Sequence, residues 1–282
     1  MRDKTPHSGG TILRTRIISS IILFPIIVAA VVLGGHWLWL FMFAVSIGGM
    51  GEFFKAFNSY HRAQHALSFI ALICYYMLIA GSWRADSYAL DGSLSIILFG
   101  TFTVLNLIFF TIKHEKISPQ DVMINIFGFF YVGILLSHVY LVRAHEFGAY
   151  FVWFIFISAW ACDTCAYFSG MLFGKRKLAP NLSPKKTIEG AIGGTLGAAV
   201  IGGIYGHFIS IDAGINLVIL GAIIGFVGAI FAQFGDLSAS AIKRHLGIKD
   251  YGNLIPGHGG ILDRFDSVIF TAPMVYLVLR VL

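Results

Sequence analysis

The sequence predicts an all-α, polytopic integral membrane protein. Of its 282 residues, 57% are hydrophobic and only 12% are charged, and the mean hydropathy is +0.80. Because a soluble protein carries about twice that charged fraction, most of the surface of this protein must face lipid rather than water.

Nine apolar runs are long enough to cross a hydrocarbon core about 30 Å thick. The loops between them are short except for residues 171–189 and 235–264. We therefore divide the chain into residues 1–150, an N-terminal transmembrane part with about five spans, and residues 151–282, a C-terminal transmembrane part that carries both long loops. The runs lie near residues 16–34, 37–54, 66–83, 93–112, 122–142, 148–170, 190–210, 214–234 and 265–282.

The positive charges fall on one side of this arrangement. With nine spans and a retained, cytosolic N-terminus, 17 of the 20 Lys and Arg residues lie in cytosolic segments, and Arg84, Arg143 and Arg280 lie on the opposite side. Cytoplasmic loops typically carry such an excess. The bias predicts a multi-pass protein of the cell membrane with both long loops facing the cytoplasm.

Ionisable residues are concentrated around the second long loop, where residues 233–267 read QFGDLSASAIKRHLGIKDYGNLIPGHGGILDRFDS. Asp236 directly follows an apolar run and Asp263 directly precedes one, so both carboxylates lie at the membrane boundary, where ionisable groups are costly unless paired or used. If the chain is helical from residue 262, Asp263 and Asp266 share a face. Such carboxylates suit a divalent cation such as Mg2+.

The glycines of the same loop favour an anion site. Pro256 and Gly257 predict a turn, and Gly259 and Gly260 would let backbone N–H groups approach an anion closely. Together with the basic residues and the paired carboxylates, this pattern points to phosphate chemistry on a metal. The simpler alternative is a solvated cytosolic loop.

The first long loop contains SPKKTIEG, residues 183–190, which reads as the start of a helix. Ser183 suits the N-cap and Pro184 the first helical position, so Lys185 and Lys186 would fall in the first turn. Cations there oppose the helix dipole, whereas a bound phosphate would favour them. The sequence therefore predicts a phosphate site, with ordinary cytosolic lysines as the alternative.

Two further carboxylates fall inside predicted spans. Asp163 lies deep in the sixth span, where a carboxylate is a candidate either for function or for a buried structural hydrogen bond. Glu52 lies near the end of the second span with Lys55 one turn away, which favours a local ion pair.

Glycines four residues apart in the seventh and eighth spans predict close packing between helices. The pairs are Gly190/Gly194, Gly193/Gly197, Gly202/Gly206 and Gly221/Gly225. A subunit interface is the alternative role for these glycines.

Residues 240–267 resemble the signature of phosphatidate cytidylyltransferases, also called CDP-diacylglycerol synthases. The matching elements are Ser240-x-x-Lys243-Arg244, then Lys249-Asp250, then PGHGGILDRFDS, in that order. Residues 163–190, DTCAYFSGMLFGKRKLAPNLSPKKTIEG, are similar to the family's preceding segment. The first 150 residues match the family only in hydropathy.

The resemblance implies an enzyme that transfers CMP from CTP to phosphatidate, giving CDP-diacylglycerol and pyrophosphate, in phospholipid biosynthesis. Residues 151–282 would then be its catalytic part, in the inner membrane of a bacterium and with the active site facing the cytoplasm. It also implies a requirement for Mg2+, held by Asp236 and Asp263, and is compatible with a second metal ion and with a homodimer. The expected partners are CTP, phosphatidate and membrane lipid, without nucleic acid. The lipid's own phosphate is then the nucleophile.

Site roles follow from the loop chemistry and the resemblance together. We assign catalytic roles to Asp263, Asp266, Lys243, Arg244, Arg264, Lys249 and Asp250. We assign substrate binding to Ser240, Lys185, Lys186, Ser183, His258, Gly259, Gly260 and Asp163.

Two other functions are weighed against this one. A CTP-dependent lipid kinase would use similar metal and triphosphate contacts but would transfer the terminal phosphate. A secondary transporter would need acidic residues along a midplane path and usually repeats with broken helices, whereas most acidic residues here lie at the cytosolic boundary. The D-G-x-x-A-R pattern of CDP-alcohol phosphotransferases is absent.

The topology is testable by thiol labelling. Single cysteines introduced at positions 60, 118, 180 and 250 of a cysteine-free chain should react with an impermeant reagent from one common side, because all four positions lie in predicted cytosolic segments. A cysteine at position 84, predicted on the other side, is the control. Labelling of positions 180 and 250 from opposite sides would contradict both the topology and a single cytosolic-face site.

Overall fold

A computed structural model of the protein describes residues 8–59, 61–80, 92–213 and 216–281. Within these ranges the chain forms eleven α-helices, two π-helical segments and one two-stranded sheet. This architecture confirms the predicted all-α fold.

The N-terminal part contains six of these helices. Asp121 and Ser118 form a capping box at the start of α5, and Pro119 occupies its first position, which together fix where the helix begins. A π-helical segment, Phe129–Ile134, joins α5 to α6 without a break. The helices are α1 (Ser8–Leu33), α2 (Gly35–Ala56), α3 (Arg62–Ala80), α4 (Gly92–Ile112), α5 (Pro119–Gly128) and α6 (Leu135–Ala144).

The C-terminal part contains the remaining helices and the sheet. A second π-helical segment, Ile157–Ala161, joins α7 to α8 and directly precedes Asp163. Strands β1 and β2 form an antiparallel hairpin between α8 and α9. The elements are α7 (Gly148–Phe156), α8 (Cys162–Phe173), β1 (Lys177–Ala179), β2 (Ser183–Thr187), α9 (Ile188–Ala213), α10 (Val218–His245) and α11 (Leu262–Val281).

Among the residues that the structure describes, seven helical stretches are long and apolar enough to cross a membrane, and they coincide with the second to eighth predicted spans. The first and ninth predicted spans are also helical. The apolar part of α1, Ile18–Leu33, is shorter, and α11 carries four charged residues. The seven stretches are Gly35–Ala56, Arg62–Ala80, Ser93–Ile112, Pro119–Ala144, Gly148–Phe173, Ile188–Ser210 and Val218–His245.

Both long loops differ from the prediction. Helix α10 continues to His245, so the second loop is confined to residues 246–261. Asp236, Lys243 and Arg244, which were predicted to lie in this loop, lie on the helix. In the first loop the predicted helix start at Ser183 is wrong, because residues 183–187 form β2 and α9 begins at Ile188. The N-cap is Thr187, whose Oγ1 accepts the Gly190 N–H at 3.1 Å.

This difference has a local physical reason. Ser183 and Thr187 are both good capping residues, and pairing with β1 satisfies the backbone between them. The later residue therefore caps the helix, and Lys185 and Lys186 lie on a strand directly before it.

The spaced glycines pack the bundle, as predicted. A Cβ on Gly202 would clash with the carbonyl oxygen of Gly221, and one on Gly225 would clash with that of Ala198. On another face of α9, a Cβ on Gly194 would lie 2.8 Å from the carbonyl oxygen of Cys162 in α8. Such close approach is typical of small residues between helices in lipid, and it fixes α8 and α10 against α9.

One hydrophobic core joins the two parts of the chain. It includes Phe53 of α2 and Phe129 of the first π-helical segment together with Leu262 and Phe265 of α11, all of them buried. The start of α11, which carries Asp263, Arg264 and Asp266, is therefore packed directly against the N-terminal part.

Candidate active site

The predicted site residues meet where the C-terminal half of α10, the start of α11 and the hairpin come together. On α10, Asp236 and Ser240 are one turn apart, and the Ser240 hydroxyl donates to Asp236 Oδ1 at 3.3 Å. Lys243 follows one turn later on the same face. Helix α10 therefore presents a carboxylate, a hydroxyl and an ammonium in a row.

Asp263 is the most enclosed carboxylate of the site, and its side chain is only 2% exposed. Its Oδ1 accepts from the ammonium of Lys243 at 2.8 Å. Its Oδ2 accepts the backbone N–H groups of Tyr251 at 2.8 Å and Gly260 at 3.0 Å. These charge-assisted bonds offset the large cost of burying a carboxylate.

The turn that precedes α11, residues 256–262, is shaped around carboxylates of the protein itself. Gly257 and Gly259 have φ angles of +77° and +83°, a region that glycine enters without strain. The sequence suggested that Gly259 and Gly260 would let backbone N–H groups approach an anion. In the structure the Gly260 N–H does contact an anion, but that anion is the Asp263 side chain.

His258 lies between this turn and α1. Its Nδ1 lies 2.7 Å from the Ser19 hydroxyl and its Nε2 lies 3.2 Å from the Ser20 hydroxyl. The Ser19 hydroxyl is also 2.9 Å from the carbonyl oxygen of Pro256, to which it can donate. Helix α1 is thereby attached to the turn through side chains that sequence reasoning did not select.

Asp236 forms an ion pair with Lys186 of β2. Both side chains remain about one quarter exposed, 27% for Asp236 and 25% for Lys186. Within the described parts of the chain, His, Cys, Asp and Glu side chains do not gather in groups of three that would hold a metal. Each of the two predicted metal ligands is instead paired with a lysine, Asp236 with Lys186 and Asp263 with Lys243.

Two more carboxylates lie within electrostatic range of Asp236. Asp163 of α8 interacts with Asp236, Lys186 and Arg264. Asp266, one turn after Asp263, interacts with Asp236 and Asp163, and its Oδ1 accepts the Ser267 N–H at 2.8 Å. The fold therefore brings four of the predicted carboxylates together at one end of the bundle.

Two cavities meet at Asp163. The first, of about 360 Å³, is lined by Lys185, Lys186 and Gln233 among others. The second, of about 390 Å³, lies between α1 and α11, and its lining includes Asp263, Arg264, Asp266 and His258 on one side and Leu23, Phe24 and Ile27 of α1 on the other. A polar site with an apolar wall suits a lipid with a charged headgroup.

The remaining predicted residues lie at the margin of the site. Arg244 is exposed, and its guanidinium donates to the carbonyl oxygens of Leu182 at 3.3 Å and Ile248 at 3.4 Å, which links the hairpin to the second loop. Lys249 and Asp250 are exposed. Ser183 is half-buried on β2, away from the helix start that it was predicted to cap.

The ring of Tyr251 packs beneath the ammonium group of Lys243. The Lys243 ammonium lies 5.5 Å from the centre of the Tyr251 ring, within the range of a cation–π contact. Burial raises the pKa of the Tyr251 hydroxyl well above its ordinary value, and the Asp263 and Asp266 carboxylates raise that pKa further. The phenol therefore stays neutral at physiological pH.

Besides Ser19 and Ser20, two residues of the N-terminal part approach the site, and sequence reasoning gave neither of them a role there. Glu52 was predicted to pair with Lys55, which does interact with it electrostatically, but its direct contacts are the backbone N–H groups of Ile261 and Leu262, which it accepts at 3.0 Å each. Tyr131, on the first π-helical segment, is buried with a hydroxyl that has no hydrogen-bond partner among the described residues, and it lies in electrostatic range of Asp236 and Asp266.

The fold is that of a polytopic membrane protein. At one end of its helix bundle lies a polar site built from paired lysines and carboxylates. Comparison with known proteins specifies the family. The model of the cytidylyltransferase family matches residues 14–282, and the chain belongs to that family.

Several relatives are named phosphatidate cytidylyltransferase. The one from Staphylococcus haemolyticus is 32% identical over 95% of this chain and 99% of its own. One from Staphylococcus epidermidis is 34% identical over 94% of this chain and 96% of its own. The one from Thermotoga maritima is 37% identical over 66% of this chain and 68% of its own.

Lys185 and Lys186 can be tested as phosphate ligands. Replacing both with Gln should lower CTP-dependent turnover about 100-fold or more, because two ammonium groups are removed from the first cavity. Folding in detergent should be unchanged, as judged by thermal stability. The matched control replaces Lys175 and Lys177 of the same segment, which do not line that cavity. Full activity of the Lys185→Gln, Lys186→Gln variant would identify the two residues as ordinary loop charges.

Proposed function

We propose that this protein transfers CMP from CTP to phosphatidate and releases CDP-diacylglycerol and pyrophosphate. The observation that carries the proposal is the meeting of two cavities at Asp163, one lined by lysines and the other bounded by carboxylates and an apolar helix. A nucleotide triphosphate needs the cations, and a phospholipid needs a charged site that opens along an apolar surface. Family membership and the printed names of the relatives support the same reaction.

The reaction needs no nucleophile from the protein. An oxygen of the phosphatidate phosphate attacks the α-phosphorus of CTP, a new P–O bond forms, and the bond to the oxygen that bridges the α- and β-phosphorus breaks. Pyrophosphate leaves with that oxygen. The protein has to hold two anions against each other, which is a task for Lys185, Lys186 and Arg264 at the cavity walls.

Mg2+ is part of the proposal, with Asp236 and Asp263 as ligands. Asp236 fits this role, because its carboxylate is partly exposed and is engaged by one lysine and one hydroxyl. Asp263 fits less directly, because three donors already occupy its two oxygens. When bound, the metal would supply charge neutralisation at the triphosphate. Asp163 and Asp266 offer hard oxygens near Asp236 for a second metal ion.

The proposal also includes location and assembly. The site faces the cytoplasm, the compartment in which the positively charged loops are expected, and the chain resides in the bacterial inner membrane, where the family resemblance is compatible with a homodimer. Membrane-embedded phosphatidate then reaches the site laterally, and CTP reaches it from water.

One assay tests the reaction. Purified protein is incubated with phosphatidate, Mg2+ and CTP that carries label on either the α- or the γ-phosphorus. CMP transfer places the α-label in lipid and the γ-label in pyrophosphate. A γ-label in the lipid would instead identify a lipid kinase, and unlabelled lipid in both experiments would contradict both functions.

Asp236→Asn and Asp263→Asn test the carboxylates in the same assay. Each change keeps the shape of the side chain and removes its charge, so turnover should fall by about two to three orders of magnitude at saturating Mg2+. Activity is measured against Mg2+ concentration, beside thermal stability. Glu115→Gln, an exposed carboxylate outside the site, is the control. Wild-type turnover and metal dependence in Asp263→Asn would exclude Asp263 as a ligand.

A further inference from the structure

Glu52 of α2 contacts the turn before α11 from the opposite half of the chain. Its Oε1 accepts the Ile261 N–H and its Oε2 accepts the Leu262 N–H, both at 3.0 Å. Leu262 is the first residue of α11, so the carboxylate lies at a helix N-terminus, where unpaired N–H groups and the helix dipole favour negative charge.

This contact is tightly enclosed. Glu52 is only 5% exposed, and a Cβ on either Gly252 or Gly260 would clash with its carboxylate. The third glycine of the GHGG sequence, Gly260, is thus explained by an internal carboxylate. Any larger residue at position 260 would push Glu52 or the turn out of place.

The carboxylate is buried without an ion-pair partner. The ion pairs seen among the described residues include His61–Asp121, Lys186–Asp236 and Lys243–Asp263, and none of these involves Glu52. Lys55 acts on Glu52 electrostatically without forming such a pair. Burying a carboxylate is expensive, and removing it would leave the Ile261 and Leu262 N–H groups without this acceptor. The two backbone contacts are what the carboxylate provides.

Three consecutive N–H groups of the turn are divided between two carboxylates. Gly260 donates to Asp263, whereas Ile261 and Leu262 donate to Glu52. Asp263 in turn accepts from Lys243 of α10. The backbone that positions Asp263 is therefore held by two helices. Lys243 of α10 binds the Asp263 side chain, and Glu52 of α2 binds the backbone directly before it.

We propose that Glu52 is a positioning residue for nucleotidyl transfer, which fixes the turn so that the first turn of α11 presents its charged residues to the substrates. The inference rests on the proposed function. It gives the N-terminal part of the chain a direct role in the site, although Glu52 itself touches no reacting group.

The main test is Glu52→Gln, which keeps the reach of the side chain and replaces one acceptor oxygen by an amide donor. The kcat for CMP transfer should fall about 10- to 100-fold, because small displacements of reacting groups have effects of this size. The KM for CTP should stay within about threefold, since the lysine-lined cavity is unchanged. Glu52→Asp, which keeps the charge, should recover part of the kcat, and Glu115→Gln is the matched control.

A second readout does not require turnover. Hydrogen exchange of the peptide that spans residues 259–263 should become faster in Glu52→Gln, while the rest of the bundle and the thermal midpoint stay as in the wild type. A kcat that falls only together with the thermal midpoint, with faster exchange throughout, would overturn the inference in favour of a purely structural role. Unchanged kcat would overturn it as well.

The two readouts separate this inference from the proposed function. If the wild type transfers no CMP, the proposed function fails and the inference fails with it, whereas local exchange still reports whether Glu52 holds the turn. If the wild type transfers CMP and Glu52→Gln does so equally well, only the inference fails.

Gly260→Ala supplies an independent check. Its added Cβ clashes with the Glu52 carboxylate, so Gly260→Ala should lower kcat by a smaller factor in a Glu52→Ala background than in the wild type. Such non-additivity is expected of residues in contact. Strictly additive effects would contradict the contact on which the inference depends.

Discussion

The buried ion pair between Lys243 and Asp263 is the interaction on which the rest of this site depends. It joins α10 to α11 at 2.8 Å, with the Asp263 side chain 2% and the Lys243 side chain 12% exposed. Breaking a pair of this kind by removing one partner typically costs about 3–5 kcal/mol, since it leaves an uncompensated buried charge. The loop before α11, residues 246–261, supplies hydrogen-bond donors to the second oxygen of Asp263. This explains why the N–H groups of Tyr251 and Gly260 point inward.

The N-terminal part of the chain completes this arrangement. Glu52 takes the next two N–H groups of the turn, and Ser19 and Ser20 contact His258 from α1. Sequence analysis matched these helices to the family only in hydropathy, but the family model spans them from residue 14 onward. Their contacts meet the most recognisable residues of the chain. The inward N–H groups of the turn need acceptors, and two carboxylates supply them, Asp263 of α11 and Glu52 of α2.

The fold was largely predictable because lipid imposes a strong pattern on the sequence. Apolar runs of membrane-spanning length predicted the positions of α2 to α10, and the clustered ionisable residues predicted which end of the bundle carries the site. Contacts between distant segments were not predictable. Glu52 has Lys55 nearby in sequence, and only the fold reveals that Ile261 lies closer, although a carboxylate within a span is already a functional candidate by default. The β2 strand was missed because Ser183 and Thr187 are both suitable helix N-caps, and the sequence does not show that the helix begins at the later of the two.

The two lysine–carboxylate pairs of the site differ in how easily they can be exchanged. Lys186 and Asp236 are each about one quarter exposed, and a pair in contact with water contributes about 0–1 kcal/mol. A substrate phosphate can therefore draw Lys186 away from Asp236 at little cost, and the same exchange would leave Asp236 free for a cation. The Lys243–Asp263 pair, several kcal/mol harder to separate, instead keeps its geometry while substrates bind. Burial thus gives similar pairs different tasks, with one pair as the fixed frame and the other as the exchangeable part of the site.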